Sequence, residues 1–261
     1  MNIAIKNPEK ADKFAYIFQN MKLFTEHINI LFEEKRIYIQ AMDTARVSIF
    51  EVEIDSTWFD TYTKTNNTNF CLGVNSSLLY KILNTRDKSQ ELNILFNTED
   101  SDQLEIHFHS ENKAIFDKYF VIPLMNIEEE LLAIPENDTQ AEISINAASF
   151  ASIISQLKLF GDTVDISCSE DKILFCSNSS DSGKMTVEIK IDDLDAFSIN
   201  DGEHINLSFS LAHLHNICTY HKICKDVEIK WINEYPMQII YKIDDSLLKL
   251  QFYLAPKFNE D

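Results

Sequence analysis

The 261-residue chain is poor in glycine, with four, and in proline, with five. No Gly-rich loop followed by Lys-Ser or Lys-Thr occurs, so the usual cradle for nucleotide phosphates is missing and a nucleotide hydrolase is not expected. The cysteines Cys71, Cys168, Cys176, Cys218 and Cys224 are odd in number and irregular in spacing, which is no disulfide framework. Reduced thiols in an intracellular compartment are the simple expectation. No apolar run reaches membrane-spanning length, so no membrane partner is expected. The opening residues, MNIAIKNPEK, lack the order of a signal peptide. Basic side chains are scarce: 23 Lys and Arg against 42 Asp and Glu give a formal charge of −19. Such a chain does not coat nucleic acid by bulk attraction, although one local face can still touch it.

What is present is a globular chain with 45% hydrophobic residues, long enough for one large domain or two small ones. Residues 122–136, IPLMNIEEELLAIPE, split it. Pro123 and Pro135 disfavour helix before them, and an acidic run, 128–130, lies among Ile127, Leu131, Leu132 and Ile134. This pattern predicts an extended strap whose apolar side chains lie on a surface or await a partner. The predicted domains are residues 1–122 and 138–261, with 123–137 as connector.

Each half reads as short helices among β-branched and aromatic strands. Pro8 starts a helix whose stripe is Phe14, Ile17, Phe18 and Met21. Strands are expected at 27–32, 36–40, 47–54, 59–64, 70–74, 92–97, 103–109 and 114–122, with a polar loop at 65–68 and a helix capped by Asn75 or Ser76. The second half repeats this order: a helix from Asn146 over 147–160, a helix over 211–220, and strands at 142–145, 163–168, 172–177, 185–191, 205–209, 227–232, 237–243 and 248–254. Two similar α+β domains, mostly antiparallel, follow.

No catalytic constellation stands out. Asp192, Asp193 and Asp195, and Asp100 with Asp102, lie in polar stretches and read as solvated faces. His213, His215, Cys218, His221 and Cys224 are the residue types zinc uses, but their spacing on a helix is poor, so no metal or cofactor is expected. The outer helix faces are polar: Tyr16, Gln19 and Lys22; Ser77, Lys81 and Asn84; Ser152, Ser155 and Gln156, with Lys158 at the margin; His215, Thr219 and Lys222.

Several stretches resemble the proliferating cell nuclear antigen family. They are Gln40-Ala41-Met42-Asp43 with Val47-Ser48, Phe59-Asp60-Thr61-Tyr62, Gly73-Val74-Asn75 with Lys81-Ile82-Leu83, Ala133-Ile134-Pro135-Glu136, Phe160-Gly161-Asp162, and Phe252-Tyr253-Leu254-Ala255-Pro256-Lys257. They run in order over essentially the whole chain. The resemblance implies a DNA-clamp fold: α+β, two similar clamp domains joined by a connector, with three subunits closing a ring of inner helices and outer sheets. It implies a non-enzymatic sliding clamp and processivity factor that encircles duplex DNA without reading sequence. Its partners would be a DNA polymerase, a clamp loader and peptide-motif replication and repair proteins. Its place would be the nucleus, or the replication compartment of a large DNA virus. The alternatives are a subunit of a heterotrimeric clamp, or an acidic interaction protein that does not encircle DNA.

Carried onto this sequence, the resemblance makes Lys22, Lys81, Arg86, Lys88, Lys158, His215 and Lys222 DNA-facing. It assigns the partner-peptide pocket to Met42, Arg46, Val47, Ile49, Leu132, Ile134, Pro135, Pro236, Tyr253, Leu254, Ala255 and Pro256. It assigns the subunit interface to Ile115, Phe116, Lys118 and Tyr119 on one edge, and to Met185, Val187 and Ile189 on the other. Where the family is basic, this chain has Ala15, Tyr16, Asn84, Ser155, Ala212 and Thr219, and Glu170 takes the place of the modifier-acceptor lysine.

Overall fold

The computed structural model describes residues 1–64, 69–97, 102–128, 130–135 and 137–257. The anticipated loop at 65–68, together with Asp100, Glu129 and Glu136, lies outside the described residues. Two compact units form. The first comprises Met1–Thr44, Glu51–Leu132 and Asp244–Lys249; the second comprises Ala45–Phe50, Ala133–Ile243 and the described residues from Leu250 on. Each unit is therefore discontinuous in sequence.

The first unit opens with β1 (Asn2–Ile5) and α1 (Pro8–Met21). The Asn7 side chain accepts hydrogen bonds from the Glu9 and Lys10 N–H groups, and Pro8 stands where no N–H is needed. Ala11, Phe14, Ile17, Phe18 and Met21 turn inward. There follow β2 (His27–Phe32), β3 (Arg36–Met42), β4 (Ser48–Asp55, in this unit from Glu51 on), β5 (Thr61–Thr63), β6 (Phe70–Asn75), α2 (Ser76–Leu83), β7 (Glu91–Leu95), β8 (Gln103–His109) and β9 (Lys118–Pro123). Asn75 caps α2 by accepting from the Leu78 N–H at 2.8 Å. One sheet runs β5-β1-β7-β8-β9 and is antiparallel throughout. The other strands run β4-β3-β2-β6. The core centres on Phe14, Phe18, Trp58 and Phe59, with Phe14 and Phe18 ring centroids 4.4 Å apart.

The second unit contains β10 (Ala141–Asn146), α3 (Ala147–Leu157), β11 (Thr163–Cys168), β12 (Lys172–Ser179), β13 (Gly183–Lys190), β14 (Ala196–Ile199), β15 (Ile205–Ser210), α4 (Leu211–Ile217), β16 (Asp226–Trp231), β17 (Met237–Ile243) and β18 (Leu248–Leu254). Asn146 caps α3 through the Ser149 N–H at 3.0 Å, the counterpart of Asn7 on α1. The sheets run β13-β12-β11-β15 and β14-β10-β16-β17-β18. Helix α4 ends sooner than its apolar stripe predicts and tightens into a 3-10 segment, Cys218–Lys222.

One shifted boundary and one additional strand have local reasons. The anticipated strand 114–122 starts only at Lys118. The Asn112 side chain accepts from the Ala114 N–H at 3.0 Å and its carbonyl from the Ile115 N–H at 2.9 Å, so the chain turns over Asn112 to Ile115 and Phe116 follows before the strand begins. Strand β14 was not anticipated, because Ala196–Ile199 lacks a β-branched run.

Candidate functional site

The connector leaves β9 and crosses one face of the first unit. The Met125 N–H donates to the Gly73 carbonyl at 2.8 Å, beside β6. Asn29 on β2 donates its side-chain amide to the Ile127 carbonyl at 3.1 Å. Gln40 on β3 closes a two-point pair with Leu132: Nε2 donates to the Leu132 carbonyl at 3.0 Å, and Oε1 accepts the Leu132 N–H at 2.6 Å. The strap thus visits β6, β2 and β3 in their spatial order. Gly73 permits the close approach, since a Cβ there would collide with the Met125 carbonyl and stand 2.9 Å from Ile127 Cδ1. Leu131 and Leu132 remain exposed at 50% and 44%.

Of the residues assigned to peptide docking, Met42 and Leu132 lie in the first unit. In the second, Arg46 has a left-handed backbone, φ 58°, and an exposed side chain. Val47 and Ile49 are half-buried, and the Val47 carbonyl accepts the Ala255 N–H at 2.9 Å. Pro135 and Pro236 are exposed, whereas Ile134, Tyr253, Ala255 and Pro256 are half-buried. Leu254 is a correction. Alternation along β18 turns it inward, 1% exposed, so its side chain is core.

Lys81, Lys88, Lys158 and Lys222 are exposed. The Lys22 ammonium lies over the Tyr80 ring, 3.2 Å from its centroid, which ties the end of α1 to α2. His215 Nδ1 lies 3.4 Å from Ser155 Oγ, bridging α4 and α3. Arg86 is a second correction. Its side chain is 3% exposed and its guanidinium is held by the Asp12 carboxylate and the carbonyls of Asp87, Lys88 and Gln90. Desolvation lowers its pKa, against the opposing pull of Asp12. It is a structural cation rather than a surface one. Ala15, counted among the outer-face departures, is likewise buried at 5%.

The histidines and cysteines of the second unit do not converge. His213 Nδ1 sits 2.9 Å from Ser210 Oγ, His221 Nδ1 sits 2.7 Å from the Cys218 carbonyl, and Cys224 Sγ donates to the carbonyls of Asp226 and Lys242 at 3.1 Å. Among the described residues, no group of three or more His, Cys, Asp or Glu is placed to hold a metal ion. Burial pushes the Cys218 thiol up to about 12 and Cys168 up to about 11, which makes both inert.

Two sheet edges complete the candidate surfaces. Strand β9 is the last of its sheet, and Phe116, Tyr119 and Val121 stand 82%, 68% and 58% exposed beside it. Lys118, expected to face outward there, donates instead to Asp87 at 2.7 Å and to the Thr85 carbonyl. Strand β13 ends the other sheet. Met185 and Val187 are half-buried on its inner side, Ile189 is core at 7%, and Thr186 and Glu188 point outward.

Two α+β units of like order, the four α-helices among the described residues with their polar outer faces, and a strapped connector define the class of DNA sliding clamps. Residues 6–131 match the model of the proliferating cell nuclear antigen N-terminal domain, and residues 133–257 match that of its C-terminal domain. The chain belongs to the proliferating cell nuclear antigen family, whose members are non-enzymatic sliding clamps. It is 28% identical over 258 residues to the proliferating cell nuclear antigen of Chaetomium thermophilum, covering 97% of each chain.

Proposed function

We propose that this chain is a homotrimeric sliding clamp that encircles duplex DNA and docks replication and repair proteins at its connector. The observation that carries the reading is the pair of open, unlike sheet edges. Among the described residues, strand β9 ends its sheet beside exposed Phe116 and Tyr119, and β13 ends a second sheet. Unlike edges join head to tail, and a head-to-tail contact closes into a ring at a fixed number of copies. Lys22, Lys81, Lys88, Lys158 and Lys222, with His215, would face the phosphates. The formal charge of −19 repels DNA from the remaining surface. A polymerase and a separate loader are the partners this reading requires, in a nuclear or viral replication compartment.

Light scattering over a wide concentration range tests the assembly. A mass near three times 30.2 kDa supports the ring. A mass of 30.2 kDa at every concentration overturns it and favours a heteromeric clamp subunit or a non-encircling interaction protein. Loader-dependent retention on circular but not linear duplex tests encirclement.

A further inference from the structure

Gln40 and Asn29 occupy outward positions on β3 and β2, where polar residues ordinarily meet water. Both are only 9% exposed, because the connector lies on them. Gln40 works in one amide orientation only. Flipped, its NH2 would face the Leu132 N–H and its oxygen would face the Leu132 carbonyl. With the strap open, a primary amide in water has no such preference and half of its states would have to flip before pairing with Leu132, unless neighbours set it in advance.

The neighbours of Gln40 do so. Its Nε2 also lies 3.2 Å from Glu51 Oε1 on β4 and 3.3 Å from Tyr38 Oη. The Tyr38 hydroxyl donates to the same Glu51 carboxylate. A carboxylate accepts only, so it attracts the amide nitrogen and repels the amide oxygen. Arg36 extends the row: its guanidinium carbon stacks 4.8 Å from the Tyr38 ring centroid and the group pairs with Glu33 and Glu53. The residues Arg36, Tyr38 and Gln40 alternate along one face of β3 and end at the connector backbone.

We infer that Tyr38 and Glu51 are positioning residues for partner docking: they lock the Gln40 amide, and through it the Leu132 segment of the connector, in the form that receives a partner peptide. The inference rests on the docking reading above. Ordering the strap before the partner arrives removes an entropy cost from binding, so a loosened strap weakens affinity by the fraction of time it is out of place.

The test uses the full chain and two readouts. One is amide exchange at Leu132 by NMR. The other is binding of a fluorescent synthetic peptide that carries a helical turn with two aromatic anchors. Gln40→Ala should expose the Leu132 N–H to fast exchange and weaken the peptide about five- to tenfold. Gln40→Glu, which keeps the acceptor but sets a carboxylate against Glu51, should do the same. Tyr38→Phe and Glu51→Leu should give intermediate exchange and about two- to threefold weaker binding. Glu51→Gln can still accept from both neighbours and should restore near wild-type behaviour. Unchanged Leu132 exchange in Gln40→Ala, or faster exchange with unchanged affinity, overturns the inference while leaving the docking reading intact. A wild-type chain with no measurable affinity for the peptide overturns the docking reading itself, and the positioning role with it. Unfolding curves identify any variant that fails to fold, and Glu51→Gln then carries the comparison against Tyr38→Phe.

Discussion

The indole N–H of Trp58 donates to the Asp244 carboxylate at 2.9 Å, and the Lys13 ammonium of α1 pairs with the same carboxylate. Asp244 begins a turn in which Asp244, Asp245 and Ser246 all have left-handed backbones, with φ of 51°, 56° and 67°. Burial would raise the Asp244 pKa, but the hydrogen bonds from Lys13 and Trp58 outweigh it and hold the carboxyl below the usual range. A depressed carboxylate stabilises the fold above its unfolded pKa. That stability is lost as pH falls through the lower folded value, below about pH 4. Asp244→Asn should cost about 1–2 kcal/mol at neutral pH. It should also shrink the loss of stability in acid, as denaturant melts at pH 7 and pH 3.5 would show.

Arg86 and Lys81 lie close in sequence and should behave oppositely. Lys81→Ala should reduce the slope of log affinity for duplex DNA against log salt by about 0.9 and leave the melting temperature in place. Arg86→Ala should leave that slope unchanged and cost about 1–3 kcal/mol, because it strips the carbonyls of Asp87, Lys88 and Gln90 of a buried donor. Fluorescence anisotropy at several salt concentrations, paired with thermal melts, separates the two.

Gly73→Ala should lift the connector off β6. The new methyl meets the Met125 carbonyl and Ile127, so the Met125 N–H would lose its bond to Gly73. A stability loss of about 1–3 kcal/mol and faster amide exchange over residues 124–128 are expected. The core of the second unit should keep its protection.

In the proposed ring, Phe116→Asp combined with Tyr119→Ala should lower the solution mass from three chains to one. Both side chains are exposed, so circular dichroism should not change. A trimer that survives this pair would move the assembly contact away from β9.

His109 Nδ1 lies 2.8 Å from Asp117 Oδ2. The hydrogen bond to Asp117, then its charge, raise the His109 pKa, and the same bond lowers that of Asp117. The raised histidine favours the fold below its ordinary pKa, and this contribution disappears as pH rises through the folded value. In an NMR titration, Asp117→Asn should return His109 towards the ordinary histidine range.

Periodicity made the helices legible, and the cap of α3 at Asn146 could be read directly, while that of α2 lay between Asn75 and Ser76 and falls to Asn75. Strands with clean alternation, such as His27–Phe32 and Leu248–Leu254, were equally plain. What stayed hidden depends on distant partners. Arg86 looked like one more surface cation because Asp12, which draws it inward, is far off in sequence. The outward Gln40 gave no sign that a strap would cover it. Leu254 entered the docking set as part of a motif, although strand parity alone would have turned it inward. The start of β9 is hidden because Asn112, through its side chain and its carbonyl, holds Ala114 and Ile115 in a turn ahead of the strand.

The family models divide the chain near residue 132, and the folded units change over there too, but they also exchange residues 45–50 and 244–249. A gene cut at that point would yield a first fragment without residues 244–249, leaving Lys13 and Trp58 with no Asp244, and a second fragment without residues 45–50. Such halves should be poor at folding alone and should regain order only when coexpressed. What reads as two modules in the sequence should therefore behave, for expression or recombination, as a single piece.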